Sequence, residues 1–231
     1  MFKKKQIKTA RKLETSTNPK SIVAEQFRMV RENIKFAMKE KKLSTLLVTS
    51  ASMGEGKSTI AANIAISFAQ EGKKILLVDA DLRKPTMHYT FNTLISPGIT
   101  NHLMSRWGIE QIVKDTGIKG LTLITCGQIP SNPSELLGSN VMDAFIESMK
   151  LKYDLVIFDA PPVLSVVDAQ ILSNKCDATI IVISSGTTDK GNSVKAKEAL
   201  QASNANILGV ILNNFKIEKD HYYYQYYGEA E

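Results

Sequence analysis

At 231 residues, with 43% hydrophobic side chains and a net charge of +6, the chain is long enough to bury one sizeable core and too apolar to be disordered throughout. Its longest apolar runs, 178–183 and the helix-like 60–69, fall short of the roughly 20 residues that cross a bilayer, and the basic opening 1–12 lacks the apolar stretch of a secretory signal. Cys126 and Cys176 lie far apart, and His88, His102 and His221 form no cluster, which excludes a disulfide framework, a zinc site and histidine-based nucleophilic catalysis.

In chain order, Lys3, Lys4, Lys5, Lys8, Arg11 and Lys12 all precede the first acid, Glu14. Residues 1–20 therefore read as a basic, flexible arm, either solvated or lying on an anionic membrane surface or an acidic partner. No aromatics are interleaved with these cations, so nucleic acid is not expected as a partner. Residues 21–40 read as a helix, because Val23, Phe27, Val30, Ile34 and Ala37 recur at steps of four and three. A short run of strand formers follows at 43–50, then a helix at 57–71 that Gly72 stops, then a strand at 74–79. Residues 85–115 show no clear period and read as short helices and loops. Beyond them come a strand at 121–125, a helix at 134–150 with Val141, Phe145 and Met149 on one face, and a strand at 153–159. Pro161-Pro162 breaks the chain before a helix near 166–174, a strand at 178–184, a helix at 190–203 and a last strand at 207–213. Strands that alternate with helices imply an α/β, P-loop NTPase-like fold, a mostly parallel sheet with helices on both faces. One domain over 21–215 and a flexible, tyrosine-rich tail over 216–231 complete the expected organisation.

Ala51-Ser52-Met53-Gly54-Glu55-Gly56-Lys57-Ser58-Thr59 lies between the first strand and its helix. It matches G-x-x-x-x-G-K-[ST] except for Ala51 in place of the first glycine. Gly54, Glu55, Gly56, Lys57, Ser58 and Thr59 are the candidate nucleotide contacts. Gly54 and Gly56 let backbone N–H groups turn onto phosphate oxygens, Lys57 neutralises the β/γ charge, and the Ser58 hydroxyl is a magnesium ligand. Asp79 and Asp81 follow the second predicted strand and Asp159 ends a later one. Parallel strands deliver their C-terminal ends to one edge, so these carboxylates are expected beside the phosphates, where they hold Mg²⁺ or act as general base. ATP is favoured over GTP because no guanine-selective N-K-x-D follows the late strands, and Asn213 is a candidate adenine contact.

The end of the chain carries five of its seven tyrosines: Tyr222, Tyr223, Tyr224, Tyr226 and Tyr227. A phenol cluster beside an ATP site reads as a phosphoryl acceptor, and five phosphates would add about −10 to the charge.

The stretch 75–85 with its doubled aspartate, Val156-Ile157-Phe158-Asp159-Ala160-Pro161-Pro162 and the tyrosine-rich terminus resemble the bacterial tyrosine kinases (BY-kinases) of capsule and exopolysaccharide synthesis, over essentially residues 15–231. An E-x-x-R-x-x-R motif is also present as Glu25, Arg28 and Arg31. The resemblance implies an ATP- and Mg²⁺-dependent tyrosine autokinase whose tail enters a neighbour's site, with catalysis by Lys57, Asp79, Asp81 and Asp159. It also implies ring assembly through Glu25, Arg28 and Arg31, a cytoplasmic kinase recruited to the membrane by a separate activator (a chain-length regulator), and a cognate phosphotyrosine phosphatase. Met53 stands where the family often has proline. Two other readings remain open here, a partition or division-site ATPase and a nucleotide-gated scaffold. Against the first, Ser52 stands where those ATPases carry a signature lysine.

Overall fold

The structure, a computed structural model, describes residues 12–38, 43–104 and 107–216. The tyrosine cluster and most of the basic arm lie outside these residues. The elements run α1 (Glu14–Thr17), α2 (Ile22–Ala37), β1 (Thr45–Ser50), α3 (Lys57–Gln70), β2 (Ile75–Asp79), α4 (Met87–Thr90), α5 (Ile99–Leu103), α6 (Ile109–Ile112) and β3 (Val113–Asp115). Then come β4 (Leu121–Ile124), α7 (Pro133–Gly138), α8 (Asn140–Lys152), β5 (Leu155–Asp159), α9 (Asp168–Lys175), β6 (Ala178–Ser184), α10 (Lys190–Ala202) and β7 (Ile207–Asn213).

Seven strands form one sheet in the order β3-β4-β2-β5-β1-β6-β7, parallel except for the β3–β4 pair. The central strands are apolar along their whole length because both faces are covered, and the pleat deals their side chains to two cores. On β1, Leu47 points to the face covered by α8, α9 and α10, whereas Leu46 and Val48 point to the face of α2 and α3. On β5, Val156 and Phe158 go one way, Leu155 and Ile157 the other. Each such side chain, fully buried, contributes about 1.5–3 kcal/mol. α3 is buried nearly all round and sits against β1, β2 and β5, so the helix that follows the phosphate loop is the most enclosed in the molecule.

Three expectations change. The 1–20 arm shortens, since α1 docks on α3: Thr15 is buried and donates from both N and Oγ1 to Asn63 Oδ1, at 3.0 and 2.8 Å. The helix expected over 134–150 is two, because Ser139 is extended and caps α8 by accepting from the Met142 N–H. The short helices expected over 85–115 are α4, α5 and α6, and the edge strand β3 is the addition there. In α2, Phe27 and Ile34 are buried as expected, but Val23 is 42% exposed.

Candidate active site

The C-terminal ends of β1, β2, β5, β6 and β7 share one edge of the sheet. Asp79 and Asp159 are direct register partners there on adjacent strands. Between Ser50 and Lys57 the chain turns through Gly54 at φ 84° and Gly56 at φ 91°, both left-handed, which aims successive N–H groups inward. No side chain caps α3, so its first N–H groups are left to an anion. A cavity of about 480 Å³ opens over this loop, lined by Lys57, Ser58, Thr59, Asp81, Lys84 and Pro162 among others.

Lys57 Nζ donates to Asp81 Oδ2 at 2.8 Å and to Asp159 Oδ1 at 3.3 Å, and lies 3.3 Å from Ser58 Oγ. Asp79 sits beneath this pair, fully buried, with Oδ2 accepting the N–H groups of Thr86 and Met87 at 3.0 and 2.9 Å. Burial, reinforced by the charge of Asp159, pushes the Asp79 carboxyl up to about 7. Burial also works against ionised Asp81, but the Lys57 ammonium and its hydrogen bond, with the Lys84 N–H, outweigh it and hold that carboxyl below its ordinary range. Lys57 loses basicity to burial and regains more from Asp159 and Asp81, so it stays an ammonium.

Asp81 lines the cavity, whereas Asp79 and Asp159 are fully buried and do not. Asp79 Oδ1 accepts no hydrogen bond among the described residues. Among those residues no three or more His, Cys, Asp or Glu side chains make a protein-only cation cage. Magnesium bound with a nucleotide needs only one or two carboxylates, since phosphates and water fill its octahedron. Ser58 Oγ and this surplus of carboxylate charge fit such an ion.

Residues 44–195 match the AAA-domain family. Over 215 residues the chain is 48% identical to the tyrosine-protein kinase YwqD of Bacillus subtilis, spanning 93% of this chain and 90% of that one. The chain belongs to the bacterial tyrosine-protein kinases. The kinase is also 37% identical over 229 residues to the putative tyrosine-protein kinase CapB of Staphylococcus aureus, covering 99% of this chain and 100% of that one. The crystal structure of the chimerical protein CapA2B2 superposes with a TM-score of 0.86 at 38% identity, over 90% of this chain and 93% of that one. Family and P-loop fold together identify an ATP-binding tyrosine kinase, as the motifs and the doubled aspartate imply.

Two residues expected at the nucleotide, Glu55 and Asn213, also brace the loop. Glu55 is buried and braces the loop from behind: Oε2 accepts the Ser52 N–H at 2.9 Å and Oε1 accepts the Thr188 hydroxyl at 2.6 Å. Asn213 Nδ2 donates to the Glu55 carbonyl at 2.9 Å, which ties one of its two amide N–H groups to the loop. Thr188 was not legible as a site residue, because only the fold sets the β6–α10 turn beside the loop.

Arg83, which follows Asp81, forms a bidentate pair with the fully buried Asp168 at the start of α9, both bonds at 2.9 Å. Ser134 Oγ joins it, donating to Asp168 Oδ1 at 3.0 Å. This network pins the loop carrying Asp81 to α7 and α9, and neither Ser134 nor Asp168 carried a sequence signal. On α2, Glu25 and Arg28 pair as three-apart neighbours. Arg31 turns the other way, onto α3, donating to the Ser67 carbonyl at 3.0 Å. The three do not form one outward band.

Proposed function

We propose that this kinase transfers the γ-phosphoryl group of ATP to tyrosines among Tyr222, Tyr223, Tyr224, Tyr226 and Tyr227 of a neighbouring copy, and that this modification regulates capsular or exopolysaccharide synthesis and export. The observation that carries the reading is the meeting of Lys57 and Asp81 at the wall of the phosphate-loop cavity. In this reading Lys57 would serve as the cation for the transferred group and Asp81 as the carboxylate for the incoming phenol, and the two lie within 3 Å of each other.

In the reaction the phenolic oxygen bonds to the γ-phosphorus, the bond from that phosphorus to the β–γ bridging oxygen breaks, and ADP leaves. The proton of the phenol passes to a carboxylate, for which Asp81 is placed best because it lines the cavity. Lys57 and the N–H groups of Gly54, Gly56 and Ser58 stabilise charge on the transferred group. Ser58, with Asp79 and Asp159 beneath it, would hold Mg²⁺, which when bound neutralises the phosphate oxygens. Buried Glu55 and Asn213 keep the loop in its anion-binding shape.

The partners follow the family resemblance: a membrane activator that recruits the cytoplasmic kinase to the inner face of the membrane, an oligomeric ring through Glu25, Arg28 and Arg31 in which Arg31 would have to leave the Ser67 carbonyl to reach a neighbour, and a phosphotyrosine phosphatase that resets the tail. Among the described residues no helix is long and apolar enough to cross a membrane.

Incubation with Mg·ATP, with and without the activator's cytoplasmic segment, followed by mass spectrometry of the C-terminal peptide tests the reading. Phosphate on Tyr222 to Tyr227 that is lost in Lys57→Met supports it. An unmodified tail with steady ATP hydrolysis under both conditions rejects it.

A further inference from the structure

β7 is the edge of the sheet among the described residues, and cavities open between it and α2. Between them runs a groove of about 620 Å³, lined by Val23, Phe27, Val210, Leu212, Phe215 and Lys12 among others. A smaller cavity of about 130 Å³ continues it along Leu208 and Gly209. The walls are apolar and open: Val23 is 42% exposed, Val210 56%, Leu212 49% and Phe215 59%. Such a contiguous patch on an edge strand, whose outer N–H and C=O groups lack a strand partner, is a surface suited to receive another segment.

The identity of that segment follows from what leaves the groove. Asn214 adopts a left-handed φ of 57°, which turns the chain out of β7 and sets Phe215 in the groove wall. The described chain ends one residue past the groove residue Phe215, and residues 217–231 follow it in sequence. Ile217 and the five tyrosines supply apolar faces, and 11 extended residues reach about 36 Å, more than the length of β7 at about 3.3 Å per residue. Charge agrees as well. The tail carries Glu218, Asp220, Glu229 and Glu231 against Lys219, while residues 1–11, which join the domain at the groove residue Lys12, carry Lys3, Lys4, Lys5, Lys8 and Arg11 and no acid.

We propose that the α2–β7 groove is the resting dock of the kinase's own tyrosine tail, with the phenols of Tyr222 to Tyr227 against Val23, Val210 and Leu212. The groove adjoins the cavity at Thr59, and docking in cis holds the phenols against the groove wall until a neighbour's cavity captures them. A phosphate of nearly two negative charges is too costly to bury against those side chains, so each phosphorylated tyrosine leaves the groove and does not return while modified. The docking does not depend on the autophosphorylation reading; only this consequence does.

The test uses the full chain with Leu212→Cys and Tyr224→Cys and a short bis-maleimide, at low protein concentration. The native Cys126 and Cys176 are buried and do not compete. The expected result is a cross-linked monomer that forms at least tenfold more slowly once Val23→Glu places a charge in the groove. Val23→Glu leaves the tether length unchanged, so it separates docking from mere proximity. An unchanged rate in Val23→Glu overturns the proposal, as do cross-linked dimers in place of monomers, which would assign the groove to a second copy. The cross-linking readout needs no ATP, so it stands or falls apart from kinase activity.

Discussion

Lys57 Nζ and Asp81 Oδ2 lie 2.8 Å apart, a buried ion pair that joins the first turn of α3 to the loop after β2. With Asp159 as its second partner, the ammonium is the counter-ion for a carboxylate cluster as well as a phosphate ligand. Lys57→Met is therefore expected to lose both activity and stability. Leaving buried carboxylates uncompensated costs on the order of 3 kcal/mol. Denaturant unfolding in EDTA should show the loss, and added Mg²⁺ should recover part of it while phosphoryl transfer stays absent.

Gly56 cannot be replaced without moving its neighbour. A Cβ there would stand 2.1 Å from Asn213 Nδ2, on a backbone at φ 91° that disfavours every L side chain. Gly56→Ala should weaken ATP binding at least tenfold by calorimetry. Adding Asn213→Ala relieves the clash but not the backbone strain, so the double variant should recover only part of the affinity.

Asp79 gives the folded protein a measurable pH dependence. Its folded carboxyl titrates near 7 against an ordinary 3.8, so between those values the native state holds a proton that the unfolded chain has lost. This contribution to stability is complete below the unfolded value and is lost as pH rises through the folded one. The slope is up to about −1.4 kcal/mol per pH unit. Asp81 shifts downward and acts only below the ordinary carboxylate range, outside this window. Unfolding in EDTA from pH 4.5 to 7.5 should show the decline, and Asp79→Asn should flatten it.

The Arg83–Asp168 pair predicts an asymmetry. Arg83 is partly exposed and returns to water if Asp168 is removed, whereas Asp168 is fully buried and keeps only Ser134 if Arg83 is removed. Arg83→Met should destabilise by about 3 kcal/mol, and Arg83→Met with Asp168→Leu by less. Urea unfolding of the two single variants and the double one gives the coupling directly.

Much of this architecture was legible in the residues. The apolar runs that became β1, β2, β5 and β6 are continuous because both faces of a parallel sheet are buried, and that pattern does not depend on which strand neighbours which. The phosphate loop was equally plain, since Gly54 and Gly56 stand where left-handed backbone is required. Short elements were not. β3 has three residues, too few to show a period, and the break at Ser139 lies inside a run whose apolar spacing continues across it.

Local physics thus determined by itself the α/β class, the anion-binding turn and the arrival of Asp79, Asp81 and Asp159 at one sheet edge, because each depends on residues close in the chain or on the polarity that parallel strands share. Only the tertiary structure decided depth and partnership. It put Asp81 at the cavity and fully buried Asp79, turned Glu55 behind the loop to Thr188, sent Arg31 to α3 and committed Arg83 to Asp168. Those outcomes rest on side chains from segments between 24 and 133 positions apart, from the Lys57–Asp81 contact to that between Glu55 and Thr188. Which buried polar group satisfies which is settled only when the sheet order and helix packing bring the candidates within hydrogen-bond reach.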